Sequence, residues 1–234
     1  MAAQQPKSDL VLLDVFGSPF AQRVRIALAE KGLAYERAEE EDLFAKSDLL
    51  LRSNPIHQKI PVLLHAGHGP VCESLTILQY LDDAFPATRR LLPADPYARA
   101  RARFWAEYSD RAHSCGKRLW MTTRDGEEAR AELVRVLRAM DAELGDREFF
   151  GGEEAGFGYV DAAAAPFAAW FAVYERYGGF RVAEECPRLA AWAARCARRG
   201  SVADNVYAPD KVCELVELYK QRVLGQQQQH TNTR

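Results

Sequence analysis

Three short motifs in the first third of the chain put reactive or ligand-binding groups at the ends of secondary-structure elements. The first is Ser18-Pro19-Phe20, between the β-prone run 11–16 and a stretch where Phe20, Val24, Ala27, Leu28 and Lys31 recur at helical spacing. A hydroxyl at that junction stands beside a helix N-terminus, where unpaired amides and the macrodipole favour an anion. The alternative is that Ser18 only caps the helix. The second motif is Lys59-Ile60-Pro61-Val62. Proline entering a strand cannot donate to the ladder. A cis bond before Pro61 would turn the Ile60 backbone outward, where an extended peptide could pair with it; an ordinary edge-strand proline is the competing reading. The third is Cys72-Glu73-Ser74, a carboxylate and a hydroxyl at another helix start. Glu73 could receive an ammonium, and the Ser74 hydroxyl and amide a carboxylate. Taken alone, this is also a helix cap with an acidic neighbour.

The three motifs together describe one ligand. One end carries an ammonium and a carboxylate, the middle is peptide backbone, and the reactive group lies near Ser18. A γ-glutamyl peptide with its cysteine at Ser18 fits, and glutathione adds a second carboxylate that needs a cation. Lys46 and Lys59 are two of only seven lysines, against 24 arginines, and they flank the motifs in sequence.

The elements that must position these groups alternate in the order β-α-β and then β-β-α over residues 8–86. The strands are expected near 11–16, 34–38, 60–65 and 71–73, and residues 41–54 read as helical or irregular. Ser74 is expected to cap the last helix of this unit. Residues 87–96, with Pro93 and Pro96, read as a linker. Beyond it strand patterns stop. Residues 99–119, 127–144, 161–177, 188–197 and 210–223 read as helices, giving an all-α domain over 97–224. The low-complexity segment 225–234 reads as a disordered tail.

Composition narrows the function class. The 234 residues are 48% hydrophobic and 27% charged, which suits a globular core. A formal charge of −2, from 31 basic and 33 acidic side chains, offers no field for nucleic acid or anionic lipid. No stretch approaches the ~18 apolar residues of a membrane span, and MAAQQPKSDL lacks a signal-peptide core. The odd set Cys72, Cys115, Cys186, Cys196 and Cys213 has no C-x-x-C spacing, so free thiols in a reducing cytoplasm are expected and no metal site is.

The chain resembles the plant tau-class glutathione transferases. The stretches that carry the likeness are LLDVFGSPFAQRVRIALAEKGLAYE, EEDLFAKSDLLLRSNPIHQKIPVLLHAGHGPVCESLTILQYLDDAFP, RFWAEY and FGYVDAAAAPFAAWF, within residues 10–224. The resemblance implies a thioredoxin-like domain followed by an α-helical domain, working as a homodimer. It implies that Ser18 activates the thiol of glutathione, the co-substrate. Lys46 and Lys59 would bind the glycyl end, Ile60 would pair through its backbone ahead of a cis Pro61, and Glu73 and Ser74 would hold the γ-glutamyl end. By correspondence with the family's hydrophobic site, Phe16, Phe20, His113, Lys117, Trp120, Trp170 and Leu215 would contact the electrophile, although Trp120 and Trp170 also suit core packing. Two positions depart from the family's pattern. Gln58 replaces a common basic residue, and Gly158 stands where a hydroxyl residue often caps the next helix, leaving that capping to Asp161.

The activity so implied is conjugation of the glutathione thiolate to hydrophobic electrophiles, with peroxidase side activity compatible with the same thiolate. A thiol–disulfide reductase would need a cysteine where Ser18 stands. A non-catalytic carrier of apolar anions or glutathione conjugates uses the same cleft, and an electrophile-conjugation assay separates the two. A purely structural domain would show a degraded glutathione site, whereas every expected position is filled.

Overall fold

Leu12 and Leu13 point to opposite faces of β1 (Leu10–Asp14) and are both fully buried. Leu12 packs with Val24, Ile26, Leu63 and Ile77, and Leu13 with Leu50 and Val62. A strand covered on both faces reads as a continuous apolar run, which is the pattern at 11–13. β2 (Glu36–Glu39) pairs with β1 in parallel, and β3 (Val62–His65) pairs with it antiparallel, Leu13 opposite Val62. β4 (Val71–Cys72) closes the hairpin, and the sheet order is β2-β1-β3-β4. The computed structural model describes residues 8–40, 45–121, 126–151 and 156–231. Residues 41–44 of the expected helical or irregular segment, and 232–234 of the expected tail, lie outside the described residues.

Three helices accompany the sheet. α1 (Pro19–Lys31) starts with Ser18 as N-cap and Pro19 at the first position, and stops at Gly32, which takes a left-handed φ of 63° that suits glycine. α2 (Asp48–Ser53) is capped by Ser47, whose Oγ accepts the Leu50 N–H at 3.1 Å. α3 (Ser74–Ala84) follows β4. The connection to the second half is tightly fixed. Leu91 and Leu92 are buried, and their amides donate to the Asp82 carboxylate, which also receives Lys31 Nζ at 2.9 Å.

The remaining helices are α4 (Pro96–Met121), α5 (Gly126–Leu144), α6 (Tyr159–Ala168), α7 (Phe171–Gly178), α8 (Val182–Glu185), α9 (Pro187–Ala197), α10 (Gly200–Ala203) and α11 (Pro209–Thr231). α6 is buried from Tyr159 to Phe167. Its Ala162-Ala163-Ala164-Ala165 run presents small side chains, so α1 approaches closely enough for Arg23 Nε to reach the Ala163 carbonyl at 2.6 Å.

Two expectations are corrected. The single helix expected over 161–177 is two, α6 and α7, parted at Ala169-Trp170. Pro166 has no amide for the Ala162 carbonyl, and the chain tightens after it, with the Trp170 amide bonding the Phe167 carbonyl at 3.0 Å. The segment expected to be disordered from 225 onward continues α11 to Thr231. Glutamine is a good helix former, and extending an existing helix avoids the nucleation barrier.

Candidate functional site

Ser18 sits where β1 hands over to α1. Its Oγ accepts the Ala21 N–H at 3.4 Å, so a lone pair is used in capping. The hydroxyl proton has no acceptor among the described residues, which leaves it to donate to an anion placed at the helix N-terminus. Leu215 and Tyr207 from the chain's last segment lie over Gly17 and screen the same corner.

The Ile60–Pro61 bond is cis. Ile60 lies just ahead of the ladder, which begins at Val62. Lys46, Lys59, Gln58 and Ile60 line one cavity of about 270 Å³ together with Glu40 and Leu50. Both lysines are exposed, so their charges face the cavity and solvent. The Glu40 carboxylate is engaged elsewhere, by the Ser47 amide at 3.0 Å and hydroxyl at 2.5 Å.

Glu73, not Ser74, occupies the cap position of α3, which corrects the expected assignment. Its φ is 69°, a left-handed conformation that costs a non-glycine residue about 1–3 kcal/mol and concentrates at functional sites. This turn sets Glu73 outward and Ser74 inward. The first helical bond of α3 runs from the Ile77 amide to the Glu73 carbonyl, so the amides of residues 74–76 have no acceptor within the helix. Ser74 is buried, and its Oγ accepts Arg23 Nη1 at 3.2 Å.

Arg23 is the feature that the sequence reading missed. It is fully buried, donates to Ser109 Oγ at 3.2 Å and to the Asp110 carboxylate, and lies 4.7 Å from the Phe167 ring. One guanidinium therefore joins α1 to α3, α4 and α6 directly behind the candidate site. A charged residue inside an otherwise amphipathic pattern reads as surface, so the sequence carried no signal for it. Asn54 was also missed. It is buried, donates to the Lys59 carbonyl at 2.9 Å and accepts the His57 amide at 3.1 Å, fixing the loop that carries Lys59.

The candidate electrophile residues fall into separate groups. Phe20, His113 and Trp170 form one aromatic row, with ring centroids 5.5 Å apart for Phe20–His113 and 5.0 Å for His113–Trp170, and His113 stacks on Phe167 at 5.3 Å. Lys117 is exposed, one helical turn beyond His113. Trp120 extends the row beyond Trp170 but is only 6% exposed, so packing governs it. Phe16 lies apart, stacked under Arg25 at 4.4 Å and against Tyr207 at 4.6 Å. Burial, followed by the charges of Arg23 and Lys117, pushes the His113 imidazole down to about 4, and its buried Nδ1 has no hydrogen-bond partner. It is neutral at pH 7.

The protein's own thiols are poorly placed to ionise. All five cysteines are free, and burial pushes each thiol above its ordinary range, Cys186 to about 12. Among the described residues no group of three or more His, Cys, Asp or Glu side chains could hold a metal ion.

Residues 12–89 match the family description "Glutathione S-transferase, N-terminal domain", and residues 123–195 its C-terminal counterpart. The chain is 58% identical over 226 residues to the "Probable glutathione S-transferase GSTU1" of Oryza sativa subsp. japonica, covering 92% of this chain and 97% of that one. The chain belongs to the glutathione S-transferase family. Within it, the similarities place it in the tau class. The crystal structure of rice GST1 in complex with glutathione superposes with a TM-score of 0.88 at 57% identity, covering 93% of this chain and 99% of that one. A tau-class enzyme from mango, Mangifera indica, does so with 0.83 at 37% identity, covering 90% and 98%.

One family-pattern departure acquires a reason. A Cβ on Gly158 would lie 3.2 Å from Gly151 Cα and 3.3 Å from the Leu91 carbonyl oxygen, tighter than ordinary contact. The capping task passes to Asp161, whose carboxylate accepts the Gly158 amide at 2.8 Å, the Phe150 amide at 2.9 Å and the Trp192 indole N–H at 2.8 Å.

Proposed function

We propose that this chain is a glutathione transferase whose Ser18 hydroxyl stabilises the glutathione thiolate for attack on hydrophobic electrophiles. The observation that carries the reading is the Ser18 side chain itself, anchored by the Ala21 amide and left with a proton to donate at the N-terminus of α1. The rice relative crystallised with glutathione supports the same ligand here.

The residues present fit that peptide from end to end. Lys46 and Lys59 share a cavity and would take the glycyl carboxylate. Ile60, ahead of the cis bond, would pair with the peptide backbone. Glu73 would take the γ-glutamyl ammonium, and the free amides at the start of α3, with the Ser74 hydroxyl, its carboxylate. Ordinary thiols ionise near pH ~8.5 and are only a few per cent thiolate at neutrality. A hydrogen bond to a charged partner is worth about 1.5–3 kcal/mol, or about 1–2 pH units. Ser18 and the helix dipole together therefore bring the thiolate close to parity at pH 7. The chain contributes no nucleophile of its own; it orients one. The row Phe20–His113–Trp170, with Lys117 at its rim, supports an apolar, aromatic-lined electrophile site in which peroxides fit as well as conjugating substrates.

The reading assigns residues 8–86 to glutathione and 97–224 to the electrophile, joined by 87–96. A homodimer is supported by the exposed aromatic side chains Tyr97 and Phe104 on α4, next to Trp105 and Tyr108. No helix among the described residues is long and apolar enough to cross a membrane, and we place the enzyme in the cytoplasm. The deciding experiment is conjugation of a chromogenic aryl halide by purified Ser18→Ala. Loss of turnover with glutathione binding retained is expected; unchanged turnover would sink the role of Ser18.

A further inference from the structure

The loop between α2 and the cis bond carries a side chain to which neither the motif reading nor the proposed function gives a task. His57 Nδ1 lies 2.6 Å from Glu73 Oε1. The contact crosses from this loop to the cap position of α3. Both partners are held in place by backbone features. Asn54 pins the His57 amide and the Lys59 carbonyl, and the Gln58 amide bonds the Asn54 carbonyl at 2.8 Å with a φ of 52° at Gln58. Glu73 is set by its own left-handed φ of 69°. The imidazole thus meets one carboxylate oxygen, while Oε2 has no partner among the described residues.

We infer that His57 is a positioning residue for glutathione: it holds Glu73 Oε1 so that Oε2 faces the γ-glutamyl ammonium. This rests on the reading that Glu73 receives that ammonium. The choice of residue fits the task. An imidazole donates an N–H without needing a charge. A lysine or arginine at the same place would pair with Glu73 but set a permanent positive charge against the ligand's own. The bracket from Asn54 also links the two ends of the site, because one loop carries both His57 and Lys59.

The test uses purified full-length protein, titrated with glutathione and with its analogue lacking the γ-glutamyl amino group. Steady-state kinetics follow in parallel. Both partners are more than half exposed, so His57→Ala should weaken glutathione about two- to fivefold. It should leave kcat at saturating glutathione and the analogue's affinity unchanged. His57→Gln, a neutral donor, should restore binding. His57→Lys should bind glutathione more weakly than His57→Ala. A purely structural ion pair would give the opposite result, with His57→Lys restoring wild-type affinity, and that outcome overturns the proposal. So does equal weakening of both ligands by His57→Ala, or no weakening of either. If wild-type protein binds the analogue as well as glutathione, the placement of the ammonium on Glu73 fails and the role of His57 fails with it.

Discussion

The two walls proposed for the site are built on different principles. On the proposed glutathione side the groups are hydroxyls, amides and charges, with Ser18 set by a cap, Ile60 by a cis bond and Glu73 by a left-handed φ. On the proposed electrophile side they are rings packed along helix faces, where His113 and Trp120 bury nitrogens that find no partner among the described residues. In the proposed reading the first wall recognises one ligand by the spacing of its charges. The second offers shape and apolar area, with Lys117 near its edge. Directional groups give selectivity, and aromatic area gives tolerance. The pairing suits an enzyme with one fixed thiol donor and many acceptors.

The contrast can be broken at several points. The largest effect is expected at Arg23, which serves both walls. Arg23→Met removes a buried cation from Ser74, Ser109, Asp110 and the Ala163 carbonyl, and should cost about 3 kcal/mol or more in a urea unfolding curve. A change under ~1 kcal/mol would mean that the domain contact stands on apolar packing alone. Ser18→Ala comes next. Turnover should drop roughly 10- to 100-fold with KM for glutathione within about twofold, as measured by initial rates.

His113 tests the second wall through pH. Its folded value of about 4 lies below the ordinary ~6.5, so the unfolded chain binds the proton more readily across that window. Stability is therefore fully present above pH ~6.5 and falls as the pH drops towards 4. His113→Phe should remove this loss and gain about 2 kcal/mol on wild type between pH 7 and pH 4.5, seen by denaturant unfolding at each pH. A parallel pair of curves would show that the imidazole is solvated.

The smallest effects belong to the exposed lysines. Lys46→Ala and Lys59→Ala should each raise KM for glutathione about two- to fivefold at low salt, less at ~1 M salt, and not at all for an analogue lacking the glycine. An undiminished effect at high salt would place the lysines in a drier site than their exposure indicates.

How much of this was readable in advance differs along the same divide. The polar wall was readable because caps, breakers and charges act locally: Ser18, Pro19 and Gly32 each announce an element end, and Ser74 marked the start of α3 one residue beyond its actual cap, Glu73. The strand and helix order followed from the same signals. Other features depend on distance in the fold. Arg23 is buried only because α3, α4 and α6 converge on it, and Asn54 looks like a helix breaker until the loop closes over it. Phe16 and Phe20 are four residues apart with the same side chain, yet they join different ring clusters, because Tyr207 meets one and His113 the other. The break after Pro166 was legible as a proline but not as the end of a helix, because a buried alanine-rich segment continues across it.

The connection between the halves has a consequence for dynamics. Leu91 and Leu92 are buried, their amides are taken by Asp82, Lys31 Nζ reaches the Arg89 carbonyl at 2.9 Å, and Arg89 Nη2 reaches the Phe157 carbonyl at 2.5 Å. A hinge needs weakly bonded backbone, and although much of this segment is exposed, its bonds tie it to both halves. These bonds oppose a hinge between the two halves. With the halves so tied, turnover should respond to bulk at Leu215 or Tyr207, which lie over Gly17, rather than to solvent viscosity acting on domain closure.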